Sequence, residues 1–162
     1  MGGGGVAVVI GATGGIGSAV AERLEADSRF ERIIRLSRRS DPPLDLASEK
    51  TIAQAARFCA AQGEVGLVFD ATGFLHNADT MPEKSLRDVD AETLARNFAL
   101  NAVGPALVMK HFLPILPREG RSVFATLSAK VGSIGDNRLG GWYGYRASKA
   151  ALNQLVRRAA AE

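Results

Sequence analysis

What is scarce in this chain removes several classes of protein before any motif is read. One cysteine, Cys59, stands among 162 residues. An intrachain disulfide is therefore impossible, no CxxC thiol pair exists, and a reducing, cytoplasmic compartment is the expectation. The two histidines, His76 and His111, lie far apart with no companions at ligand spacing, so no metal site is expected. No apolar run approaches the ~18 residues that a bilayer-crossing helix needs, and no membrane partner is expected. The formal net charge is only +3. Its positive residues are spread thinly apart from Arg35, Arg38 and Arg39 and the pair Arg157 and Arg158, whereas a nucleic-acid interface gathers them on one face. No nucleic-acid partner is expected either. The start, Met1-Gly2-Gly3-Gly4-Gly5, has no charged residue and runs straight into an apolar segment, unlike a secretory leader.

What is present is the balance of a globular protein, 46% apolar and 23% charged. The length suits one domain, residues 1–162, with a real core. Strand and helix patterns alternate, the mark of βαβ units and a parallel sheet. Strands are expected at Val6–Ile10, Ile33–Leu36, Leu44–Leu46, Val65–Ala71 and Arg121–Leu127. Helices are expected over about Gly15–Ala26, Glu49–Gln62, Asp90–Leu113 and Trp142 to the end, with Asp90 as N-cap and Pro114 and Pro117 as stops. Phe74 to about Val89 reads as loop. The fold class is α/β, a doubly wound Rossmann fold.

After the first strand the chain reads Gly11-Ala12-Thr13-Gly14-Gly15-Ile16-Gly17. Glycines here permit a tight turn, close approach of backbone to a pyrophosphate, and close packing of helix on strand. The helix that follows aims free N–H groups and its positive dipole end at the phosphates. Gly11, Gly15 and Gly17 fit one spacing, GxxxGxG, and Gly11, Gly14 and Gly17 fit another, GxxGxxG. The glycines alone do not choose between them.

About 20 residues beyond such a turn, an acid would bind the adenosine ribose and indicate NAD. Here that region holds Ser37, Arg38 and Arg39, and no acid stands between Arg32 and Ser40. A guanidinium offers a 2′-phosphate charge-assisted hydrogen bonds that a carboxylate would oppose. NADP is therefore expected, with Ser37 and Arg38 as contacts.

Tyr145-Arg146-Ala147-Ser148-Lys149 opens the last helix, and the i, i+4 spacing puts phenol and ammonium on one face. A cation about 4 Å from the phenol would supply on the order of 4 kcal/mol, roughly three pKa units, bringing Tyr145 toward acid/base strength. Asn101 is a polar residue on an otherwise apolar helical stripe with Leu94 and Phe98, and a buried amide needs partners.

Taken in order, GATGGIG, NAVG, a serine at the end of the last strand, and YRASKAAL resemble the short-chain dehydrogenase/reductase family. The run SAKVGSIGDN…GGWYGYRASKAALN is most similar to its C-factor-like and carbonyl-reductase-like branch. The resemblance implies a sheet of order 3-2-1-4-5 and hydride transfer between a nicotinamide and a carbonyl or alcohol. It implies Tyr145 as proton donor or acceptor, and Lys149 on the nicotinamide ribose. Asn101 would anchor a water in a proton relay, and a serine would orient the substrate. Relatives end this strand in two serines, the second catalytic; that position is Ala129 here, so Ser128 is the expected serine, with Ser133 second. Asp70-Ala71-Thr72-Gly73 replaces the usual NAG, with Ala71, Thr72 and Gly73 against the cofactor, and Asp45-Leu46 matches the pair beside the adenine. The resemblance also implies two more strands and a substrate loop past the catalytic helix, and assembly as a homodimer or homotetramer through the two long helices. Two other readings share these motifs: a non-catalytic, C-factor-like NADP-binding sensor, and an extended-family epimerase, which needs a large further domain.

Overall fold

The computed structural model describes residues 5–78 and 80–162; the first four residues of the glycine-rich start lie outside these. The apolar run Gly5–Ile10 forms strand β1, followed by helix α1 (Gly15–Glu25), β2 (Phe30–Leu36), α2 (Glu49–Ala60) and β3 (Val65–Asp70). Helix α3 (Ala91–Phe98) passes through a π-helical turn (Ala99–Val103) into α4 (Gly104–Phe112). Strand β4 (Val123–Thr126) and helix α5 (Tyr143–Ala159) complete the described elements.

The strands form one parallel sheet of order β2-β1-β3-β4. The order reverses between β1 and β3, where Ile10 lies opposite Asp70 at the carboxyl ends. In sheets of this kind such a switch point opens a crevice for ligands. Alternation along β1 sends Val6, Val8 and Ile10 into a core with Ile52, Ala55, Ala56 and Cys59 of α2 and with Val108 and Phe112 of α4. Val9 turns the other way, onto Ala21 of α1. Burial on both faces is why β1 is an unbroken apolar run rather than an alternating one.

The expected third strand, Leu44–Leu46, is not formed, so the expected order 3-2-1-4-5 is realised without its first member. Pro42 and Pro43 precede it and have no N–H to give to a ladder. The next amides are used locally: Leu44 N–H donates to the Ser37 carbonyl (2.8 Å), Asp45 N–H to Thr51 Oγ1 (3.0 Å) and Ala47 N–H to Asp45 Oδ1 (3.0 Å).

Asp90 is the N-cap of α3 as expected, accepting from the Thr93 N–H at 2.9 Å. The single long helix expected after it is interrupted by the π turn. Pro105, four residues past Asn101, has no N–H to return to the Asn101 carbonyl, and its ring crowds that carbonyl in a regular α-helix. Ala91–Ile115 is 25 residues long and apolar enough to cross a membrane by length and composition, contrary to the expectation that no apolar run approaches that length. Val108 and Phe112 within it are wholly buried among the apolar residues of the sheet core.

The chain groups into two compact units, Met1–Thr72 with Leu107–Leu127, and Gly73–Ala106 with Ser128–Glu162. The sheet, α1 and α2 belong to the first. The second is built on α3, the π turn and α5.

Candidate active site

In the first unit, the turn after β1 is shaped by contacts that leave no room for side chains. Gly11 has φ +79, and a Cβ there would meet the Ala71 carbonyl carbon at 3.2 Å. A Cβ on Gly17 would lie 2.3 Å from the Gly11 carbonyl oxygen, an impossible approach. Gly15 is different: nothing lies within 4 Å of its Cβ position. Of the two spacings, the protein's own packing requires Gly11 and Gly17, while the space beside Gly15 is left for something else. Thr13, Gly14, Gly15 and Ile16 are all exposed, and α1 begins at Gly15 with no acid in its first turn. Its first amides have no partner within the helix. This is a cradle that suits a phosphate pair.

At the end of β2, Ser37 is fixed by a small turn. Its N–H donates to Ser40 Oγ (2.9 Å), and its Oγ accepts from the Arg39 N–H (3.1 Å). Arg35 is paired with Glu25 at 2.9 Å. Arg38 and Arg39 are exposed and have no ion-pair partner among the described residues. Their free guanidiniums fit a further phosphate. Leu46 packs against the main core, and the Asp45 carboxylate is engaged by Ala47 N–H.

Asp70, at the end of β3, is fully buried. Its Oδ1 accepts from Thr72 N–H (3.0 Å) and Thr72 Oγ1 (2.6 Å), and its Oδ2 from Thr126 Oγ1 (3.0 Å). The carboxylate thus ties the ends of β3 and β4 together and shapes the Ala71-Thr72 backbone against Gly11. Sequence reading treated Asp70 only as a departure from a family pattern and missed this role.

In the second unit, Lys149 is 2% exposed, and its Nζ lies 5.9 Å from the centroid of the Tyr145 ring. The two side chains share one face of α5, as their spacing predicts. A Cβ on Gly73 would stand 3.4 Å from Lys149 Nζ and 3.7 Å from Asn101 Oδ1, so these groups are brought together. Asn101, fully buried in the π turn, is bonded through both ends of its amide. Its Oδ1 accepts from Phe74 N–H (2.7 Å), and its Nδ2 donates to the Phe74 carbonyl (2.8 Å) and to Ser148 Oγ (3.1 Å). Ser148 Oγ in turn donates to the Tyr145 carbonyl (2.8 Å). The Asn101 amide is therefore a brace between the Phe74 loop and α5. Ser148 was not foreseen, although a serine three residues after Tyr145 is placed to bond back along the helix.

The Tyr145 phenol is pushed above its ordinary value of 10 by burial. This runs against the expected depression, and its cause is the desolvation of the phenol. At neutral pH the Tyr145 phenol is protonated.

The serines stand elsewhere. Ser128 Oγ donates to Asn153 Oδ1 at 2.6 Å, and Asn153 lies two turns beyond Tyr145, about 12 Å along the helix. Ser133 Oγ accepts from Asp136 N–H at 3.1 Å. Ser133 lines a cavity of about 340 Å³ with Ile134, Leu139, Tyr143, Arg146 and Ala147, a set that does not include Tyr145 or Lys149.

The family model described as enoyl-(acyl carrier protein) reductase matches residues 25–162. The chain is 34% identical over 116 residues to 1-hydroxy-2-glutathionyl-2-methyl-3-butene dehydrogenase of Rhodococcus sp., covering 71% of this chain and 48% of that one. It is 44% identical over 73 residues to C-signal of Myxococcus xanthus, covering 45% and 44%. The aligned parts thus make up less than half of either relative. Among solved structures, the NADPH-bound carbonyl reductase from chicken fatty liver superposes with a TM-score of 0.82 at 21% identity, over 96% of this chain and 69% of that one. On these matches the chain belongs to the short-chain dehydrogenase/reductase family.

Proposed function

We propose that this chain carries the cofactor-binding and proton-donating parts of an NADP-dependent oxidoreductase that reduces a small-molecule carbonyl to an alcohol. The observation that carries this reading is the buried Lys149 ammonium over the Tyr145 ring, braced by the Asn101–Ser148 hydrogen bond. Supporting it are the phosphate cradle at Gly15 and the two free guanidiniums, Arg38 and Arg39, where an NAD site would place an acid. Gly11, Thr13, Gly14, Gly15, Ile16 and Gly17 would hold the pyrophosphate, Ser37 and Arg38 the 2′-phosphate, and Asp45 and Leu46 the adenine. Ala71, Thr72 and Gly73 would give the cofactor close backbone passage.

When bound, the nicotinamide supplies hydride to the carbonyl carbon. The residues do the rest. Tyr145, protonated at neutral pH, donates its proton to the carbonyl oxygen. Lys149 holds the nicotinamide ribose and steadies the phenolate left after transfer. A local shift that releases Ser128 from Asn153 would bring its hydroxyl over the substrate, with Ser133 as the second candidate. A cytoplasmic homodimer or homotetramer is part of the same proposal.

Tyr145→Phe should abolish NADPH oxidation across a panel of carbonyl compounds while leaving NADPH binding intact. Full activity in that variant would sink the mechanism. A wild-type chain that binds NADPH but turns nothing over would favour the non-catalytic reading. NADPH should bind more tightly than NADH, and Arg38→Asp should erase or reverse the preference, a change on the order of tenfold or more. Equal affinities in the wild type would remove the NADP assignment.

A further inference from the structure

Glu83 is a carboxylate that the proposed chemistry does not use, set in the loop between β3 and α3, yet it is only 4% exposed. Both of its carboxylate oxygens accept from the Gly144 N–H, at 3.2 and 3.3 Å, in the first turn of α5. Its own carbonyl accepts from the Trp142 N–H at 2.6 Å. The helix has no other provision at this end. Trp142, the N-cap, sits at φ 57 with no side-chain cap bond, and the first turn contains no acid. A carboxylate at such a point satisfies an orphan amide and opposes the positive end of the helix dipole.

The sequence around the clamp is cut to admit it. A Cβ on Gly144 would stand 2.9 Å from Glu83 Oε1 and 2.9 Å from Asn97 Nδ2. Gly141, at φ +79, would bring a Cβ to 3.0 Å from the Glu83 carbonyl oxygen. Two glycines thus open the start of α5 to one acidic residue. Gly144 immediately precedes Tyr145.

We infer that Glu83 is a positioning residue: it clamps the first turn of α5 and so sets the height and rotation at which Tyr145 is presented. The Asn101–Ser148 brace fixes the same turn from its other side, through the Tyr145 carbonyl. Glu83 touches no reacting atom and acts only through the helix. The inference deepens the oxidoreductase reading and rests on it for its link to turnover, while the clamp itself stands or falls separately.

The test uses the 162-residue chain with Glu83→Ala and Glu83→Gln, the second of which keeps an acceptor oxygen. Amide hydrogen exchange at Gly144–Ala147 should quicken about tenfold in the alanine variant, the size of a lost helix cap, and return near the wild-type rate in the glutamine variant. Exchange in β1 and β3 should not change. Wild-type rates at Gly144–Ala147 in the alanine variant, an equal loss in both variants, or a rise spread over the whole chain would each overturn the clamp. On turnover, Glu83→Ala should lower kcat about tenfold with NADPH affinity unchanged, and glutamine should recover it. Normal kcat with quickened exchange would overturn the positioning role. A wild-type chain without turnover would fail the oxidoreductase reading, and the exchange arm would still decide the clamp.

Discussion

Each glycine of the turn between β1 and α1 answers to a different neighbour, and the difference can be measured. Gly17 faces the Gly11 carbonyl so closely that an added Cβ would sit at 2.3 Å from backbone, where nothing flexible can give way. Gly17→Ala should therefore force a backbone shift, cost about 1–3 kcal/mol, and weaken NADPH binding with it. Gly15 faces open space. Gly15→Ala should leave the fold intact or raise its stability by about 0.5–1 kcal/mol, since alanine is the better helix former. If that space receives a phosphate, the same substitution should still weaken NADPH binding. Urea denaturation alongside NADPH titration separates the two variants, and unchanged affinity in Gly15→Ala would show that the cradle takes no phosphate. At this scale the sequence was readable where a residue type is demanded by backbone geometry, as at Gly11 and Gly17. It was unreadable where the demand comes from a distant partner. Nothing local marks Glu83 or Asp70 as buried, because an acid in a loop or at a strand end has no periodicity to betray it.

Elements were legible in proportion to how far their pattern reports burial on more than one face. The unbroken apolar run of β1 and the i, i+4 spacing of Tyr145 and Lys149 both appear as read. The failures are where a local hydrogen bond outcompetes a regular element. Leu44–Leu46 has the apolar residues of a short strand, and Leu44 is indeed buried. Yet its amides are drawn into a turn with Ser37 and Thr51, and burial alone does not make a ladder. The helix after Asp90 failed more informatively. Gly104-Pro105 in its middle is a breaker that the reading of one long helix passed over, and the π turn beside it is the element that carries Asn101. Such turns recur at functional sites because they re-aim side chains without ending the helix. Here the re-aimed amide binds the Phe74 loop on one side and Ser148 on the other. The serine assignment stayed open for the same kind of reason. Ser128 leaves β4 on a segment whose course is set by Asn153, two turns beyond Tyr145, and no spacing rule in the strand foretells that partner.

For the molecule as a whole, the two neutral acids that burial shifts upward make alkaline pH the informative axis. Cys59 is wholly buried between α2 and the sheet, and desolvation pushes its thiol up to about 12 from an ordinary 9.0. The Tyr145 phenol is raised as well. Both groups are neutral when protonated, and both keep their protons in the native state at pH values where the unfolded chain has lost them. Stability falls with pH wherever the native state binds more protons than the unfolded one. The stabilising contribution is thus fully present below pH 9, the unfolded thiol's range, and is lost as pH climbs toward the folded value. For Cys59 the slope approaches 1.4 kcal/mol per pH unit, reaching about 4 kcal/mol over the whole window. Urea unfolding of wild type and Cys59→Ala at pH 8 and again at pH 11 isolates this term, since every other titrating group is shared. Alanine costs some packing at pH 8, and the gap between the two proteins should shrink or change sign by pH 11. A gap that stays constant across that range would mean that the thiolate is accommodated in the fold, and that the core between α2 and the sheet admits water.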